Sequence, residues 1–99
     1  MAYEIQFANS ANRQLKELKA HDRALVIAQI EKQLSDKPLK AARNRKQLRP
    51  NPVAPWELRV KSLRAFYDVS GGNTNVVNIL AIGIKRGNKL YIEGEEIQL

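Results

Sequence analysis

The sequence contains no cysteine and only one histidine. Disulfide scaffolds, thiolate zinc sites and cysteine nucleophiles are therefore excluded, and a Ser-His-Asp triad or a histidine cage is disfavoured. No apolar run approaches the ~18 residues of a membrane-spanning helix. The opening Met-Ala-Tyr-Glu-Ile-Gln-Phe lacks the basic stretch and apolar run of a secretory signal. A cytoplasmic protein with no membrane partner is expected. Its few glycines do not form a phosphate-cradling loop ahead of a helix, and its acids show no metal-ligand spacing. Neither a metal nor a cofactor is expected. What remains is 99 residues, 43% of them apolar, enough for one core. Residues 1–99 should form a single domain.

The net charge of +7 is concentrated in one segment. Between Lys37 and Arg64 stand nine basic residues and one acid, Glu57, whereas the rest of the chain has eight cations and nine acids. A concentrated positive segment suits a polyanionic partner, since neutralising phosphates releases condensed counterions. It suits equally a solvated loop or a patch that docks an acidic protein. The acidic tail (Glu93, Glu95, Glu96) offers an intramolecular partner for it.

Hydrophobic periodicity divides the chain. Tyr3, Ile5 and Phe7 alternate with polar residues, as in a strand with one buried face. Asn9 or Ser10 can cap a helix from Ser10 to about Lys19, with Leu15 and Leu18 on one face. Asp22 is a second cap candidate, before Val26, Ile27, Ile30 and Leu34 at helical spacing. That helix ends at Ser35-Asp36-Lys37-Pro38, because the residue before proline is pushed out of the α region. All four prolines fall within residues 38–55, a connecting loop with at most one helical turn around Lys40–Leu48. The period then becomes two: Trp56, Leu58 and Val60 alternate with Glu57, Arg59 and Lys61, and a short link leads into Arg64–Val69. Ser70-Gly71-Gly72-Asn73 signals a turn, and Val76–Ile84 is apolar enough for a central strand covered on both faces. After the Gly87-Asn88 turn comes Leu90-Tyr91-Ile92, read as an exposed end strand. The fold class is α+β, ordered β-α-α-β-β-β, with a two-helix hairpin on an antiparallel sheet.

Alternation sends Glu57, Arg59 and Lys61 to the side opposite Trp56, Leu58 and Val60, and Arg64 begins the next strand. Lys85, Arg86 and Tyr91 follow near the end of the long strand. One carboxylate among several cations and a phenol is a set able to deprotonate a 2′-hydroxyl, stabilise phosphate charge and protonate a leaving oxygen. The same residues also read as ordinary cross-strand partners on a solvated face. Trp56 is a core residue by its alternation partners, and His21 falls at the turn between the helices.

Lys46-Gln47-Leu48, Trp56-Glu57-Leu58-Arg59-Val60, Arg64-Ala65-Phe66-Tyr67-Asp68-Val69 and Ile79–Arg86 together resemble the RelE/ParE toxin superfamily, across nearly the whole chain. The resemblance implies a type II toxin held by a cognate antitoxin, with a toxin–antitoxin heterotetramer as one assembly. RelE-like members cut mRNA on the ribosome, against 16S rRNA, whereas ParE-like members poison DNA gyrase. The pattern at Glu57, Arg59, Arg64, Lys85 and Tyr91 is closer to the nuclease branch. It implies a metal-independent mRNA interferase that inhibits translation. Glu57 would be the base, Arg59 and Arg64 would hold the phosphate, Lys85 would add charge and Tyr91 would orient or protonate the leaving group. Lys40, Arg43, Arg45, Lys46, Arg49, Lys61 and Arg86 would grip RNA, with Arg86 replacing Lys85 if the register slips by one. Two departures stand out. Glu57 occupies a place where the best-known RelE pattern has lysine, and no histidine lies near the C-terminus. The alternatives are a ParE-like gyrase inhibitor and a catalytically inactive module that binds antitoxin or acts as a DNA corepressor.

Overall fold

The computed structural model describes residues 3–70 and 75–99; the turn expected at Ser70–Asn73 falls largely outside them. The elements run β1 (Glu4–Phe7), α1 (Asn9–Glu17), α2 (Ala20–Leu34), β2 (Arg45–Gln47), β3 (Trp56–Val60), β4 (Leu63–Ser70), β5 (Val76–Arg86), β6 (Lys89–Ile92) and β7 (Glu95–Ile97). The sheet order is β2-β3-β4-β5-β6-β7, and β1 pairs in parallel with the first half of β5. All other pairings are antiparallel. The expected α+β architecture is present: two helices lie on a mostly antiparallel sheet.

Helical spacing of apolar residues explains the packing. Val26, Ile30 and Leu34 lie at intervals of four and are fully buried against the sheet, with Ala11 and Leu15 of α1. The sheet answers with Trp56, Leu58 and Val60 from β3 and with Leu63, Ala65 and Tyr67 from β4. Each buried Val, Leu or Ile among them contributes roughly 1.5–3 kcal/mol. Trp56 and Tyr67 face each other in register and stack at 6.1 Å with 23° between their planes. The Tyr67 hydroxyl donates to the Pro38 carbonyl at 2.6 Å, which pins the loop after α2 to the core.

The far face of the sheet is not merely solvated. Phe66, Ala81 and Leu90 are buried there under Ala54, with Leu48, Val53, Leu80, Ile92 and Ile97 packed around them. Gly83 permits this arrangement, because a Cβ there would come within 3.0 Å of Leu90 and 3.1 Å of Ile92.

Several local expectations are corrected. Residues 40–48 form no helical turn: the chain enters β2, where Lys46 faces Glu57, and Leu48 N–H bonds the Pro55 carbonyl at 2.8 Å. Neither Asn9 nor Ser10 caps α1. Its N-cap is Ala8 without a side-chain bond, since the Ser10 hydroxyl instead donates to the Leu80 carbonyl. The cap of α2 is Lys19, so Asp22 sits in the first turn, where a carboxylate still complements the helix dipole, and His21 lies inside the helix. The strand around Tyr91 is not an end strand, because β7 pairs outside it. Two of the tail acids have partners outside the basic segment: Glu93 pairs with Arg13 at 2.6 Å and Glu96 approaches Lys89 at 3.9 Å.

Candidate functional site

Strand register assembles one charged cluster on the far face. Arg59 lies directly opposite Arg64, Glu57 opposite Phe66 on one side and Lys46 on the other, and Arg64 opposite Gly83. Lys85, two residues beyond Gly83, pairs with Leu90 of the far-face apolar cluster and so shares that face. Glu57 and Lys85 line one depression of about 240 Å³ with Leu90 and Ile97. Glu57 and Arg59 line a second, of about 350 Å³, walled by residues 41–47.

Arg64 is the most constrained member. It is buried, and its Nη1 donates to the Lys61 carbonyl at 2.7 Å and to the Leu63 carbonyl at 2.9 Å. Those bonds tie the guanidinium to the β3–β4 turn, where Lys61 adopts φ +55°. Nε is left buried without a hydrogen-bond partner, 3.9 Å from Glu57 Oε1. Burial lowers the Arg64 pKa, Glu57 opposes that shift, and Arg59 adds to it. The group stays cationic regardless, as arginine does in proteins. The Nε is enclosed by the chain, so the guanidinium this pair presents to solvent is that of Arg59.

The sheet stands between this cluster and Tyr91. Ile84 pairs with Tyr91 and Lys85 with Leu90, so Tyr91 and Lys85 point to opposite faces. Tyr91 instead lines a depression of about 350 Å³ beside α1, with Gln14, Glu17, Leu18 and Arg86. Arg86 thus falls on the helix side too, and it is Lys85 that reaches the cluster. Arg45 is held elsewhere. Its Nε donates to the Lys40 carbonyl at 3.0 Å and its Nη1 reaches Gln33 at 3.4 Å. Arg43, Lys46 and Arg49 remain exposed along the loop flanking Glu57 and Arg59, as do Lys40 ahead of it and Lys61 at the hairpin turn. Among the described residues, no three acids or histidines gather as a metal site.

Two polar residues outside the charge pattern support the scaffold. Arg23 of α2 donates to the carbonyls of Leu15, Lys16 and Leu18, closing the C-terminal end of α1. Gln14 accepts the Ile82 N–H on β5. Periodicity could not flag either, since both answer backbone groups.

The likenesses to known proteins concern the family and the fold. A search of curated protein sequences finds no match. A chain of the crystal structure of the toxin–antitoxin complex RelBE2 from Mycobacterium tuberculosis superposes with a TM-score of 0.69 at 25% identity. The match covers 87% of this chain and 100% of that one. Residues 5–88 fit the family described as the ParE toxin of the type II toxin–antitoxin system parDE, a span that takes in both helices and every strand of the charged cluster. The chain is therefore a member of the ParE toxin family, within the RelE/ParE superfamily of type II toxins.

Proposed function

We propose that this toxin is an endoribonuclease that cleaves mRNA on the ribosome and that a cognate antitoxin restrains it. The observation that carries the reading is the far-face cluster, in which Glu57 lies 3.9 Å from the buried Arg64 and two residues along β3 from the exposed Arg59. Glu57 takes the proton of a ribose 2′-hydroxyl. The freed oxygen attacks the adjacent phosphorus, and Arg59 and Arg64 stabilise the charge that builds on the phosphoryl oxygens. Lys85 protonates the departing 5′-oxygen, leaving a 2′,3′-cyclic phosphate on one fragment and a 5′-hydroxyl on the other. Every group in this sequence comes from the chain, so the step runs without a metal. Lys40, Arg43, Lys46, Arg49 and Lys61 hold the RNA backbone by charge.

The antitoxin partner is inferred from the relative solved as a toxin–antitoxin complex. The family's ParE description favours a second reading, inhibition of DNA gyrase. Brief induction without antitoxin separates the two. Mapped 5′-hydroxyl ends across cellular messages, lost in Glu57→Gln, are expected. Intact messages together with DNA-damage signalling would establish gyrase as the target, and harmless expression would mark an inactive binding module.

A further inference from the structure

The far face holds a second feature that the charge cluster does not use. A depression of about 460 Å³ lies where the loop after β2 folds over the sheet, with Leu48, Pro50 and Leu80 among its walls and Asp68 among its polar lining. That is within the range of small-molecule pockets, roughly 300–1,000 Å³. Two devices build it. The β4–β5 register shifts between Phe66 and Tyr67, which leaves Leu80 as an extra residue on β5 and turns its side chain into the wall. Asn51 fixes the loop: its Oδ1 accepts the N–H groups of Val53 and Ala54, and its Nδ2 donates to the carbonyls of Arg49 and Ala54.

Asp68 is placed for reading rather than for holding. Asn78 lies opposite it and donates to Oδ1 at 2.9 Å, while also donating to Ser70 Oγ, so the carboxylate is oriented. Asp68 forms no salt bridge with any described residue. It stands four residues along β4 from Arg64, about 13 Å at the usual strand rise, on the same far face as Glu57. A carboxylate there repels phosphate and attracts only donors. The geometry points to a nucleobase subsite, resting on the ribonuclease reading above, in which Asp68 selects guanine. Guanine alone among the RNA bases presents two adjacent donors, N1–H and N2–H, to the paired oxygens of a carboxylate. Adenine, cytosine and uracil each place an acceptor beside their donor, which the carboxylate repels. Leu80 and the prolines supply the apolar walls against which an unstacked base lies.

The test is a cleavage map after brief induction of the full chain, native against Asp68→Asn, with melting curves for both. The native map is expected to show guanine enriched at one fixed position relative to the cut. Asp68→Asn is expected to lower that enrichment about tenfold, the effect of one good base contact. It should also raise adenine at the same position, since an amide offers one donor and one acceptor. Native cuts without guanine enrichment, or an unaltered base distribution in a folded Asp68→Asn chain at whatever total rate, would overturn the subsite alone. Absence of native cleavage would overturn the ribonuclease reading and the subsite with it.

Discussion

The side-chain oxygen of Gln14 accepts the backbone N–H of Ile82 at 2.7 Å, across 68 residues of sequence. One helical turn earlier, Ser10 donates to the Leu80 carbonyl at 2.9 Å. The ladder on that edge of β5 passes from β1, which reaches Ile79, to β6, which pairs with Ile84 through Arg86. The interval between them has no strand. Helix α1 supplies the missing partners, one acceptor and one donor, four residues apart on the same helical face.

Replacing Gln14 by Leu keeps the apolar contact and removes the acceptor. The buried Ile82 N–H then has no partner, at a cost of about 1–3 kcal/mol. A domain this size loses roughly 4–8 °C of melting temperature per kcal/mol. Gln14→Glu retains an acceptor oxygen but buries a carboxylate beside Glu93, to which Gln14 is hydrogen-bonded, and should lose at least as much; thermal melts of the two variants check this.

Tyr67 sets an alkaline limit. Burial raises its phenol pKa above the ordinary 10.0, and the charge of Arg45 opposes the shift. The neutral form is therefore favoured in the fold, and the corresponding stability is fully present below pH 10.0 and lost as pH rises from there toward the folded value. Denaturant midpoints should fall in that alkaline window. Tyr67→Phe should flatten the fall while losing about 1 kcal/mol at neutral pH through the lost bond to Pro38.

Lys61 occupies left-handed backbone at φ +55°. A side chain there costs roughly 1–2 kcal/mol, and glycine relieves that cost while adding roughly 0.5–1 kcal/mol of chain entropy to the unfolded state. Lys61→Gly should therefore raise stability by up to about 1.5 kcal/mol. The same change removes a cation from the set proposed to grip RNA, so cleavage should weaken while the melting temperature rises. Melting and cleavage measured on one preparation would show the divergence.

The far-face cluster makes an ordered prediction for activity. Arg59→Ala should lower the cleavage rate by about 10²–10³ through loss of a charge-stabilising donor. Lys85→Ala should lower it by about 10²–10⁴, the usual range for a general acid. Tyr91→Phe should have a much smaller effect, because the sheet separates that hydroxyl from the cluster. Single-turnover rates on one RNA would rank the three, and a Tyr91→Phe loss equal to that of Lys85→Ala would move the proton donor to the helix face.

Much of this could be read from residues alone. The run Val76–Ile84, the alternation in Trp56–Val60 and the spacing of Val26, Ile30 and Leu34 each reflect burial, and burial is what periodicity encodes. Strands β2 and β7 carried no such signal, being three residues long at the sheet edges with little to bury. The face of Tyr91 was in fact available. A two-residue link at Gly87-Asn88 forces Arg86 opposite Lys89, hence Ile84 opposite Tyr91, and so sends Tyr91 away from Lys85. The bulge at Leu80 was not, because nothing in Ile79-Leu80-Ala81 marks the extra residue. Gln14 and Arg23 were missed since each serves main-chain groups that only the tertiary fold brings near.

The Gln14–Ile82 bond also bears on how the chain becomes dangerous to its host. Neither β1 nor α1 has its sheet partner until β5 has left the ribosome, so the first half of a nascent toxin has nothing to dock on. At synthesis rates of roughly 5–20 residues per second, several seconds of translation pass in which the growing polypeptide is harmless. A partner already present in the cell meets the molecule as it takes shape, before the sheet is complete.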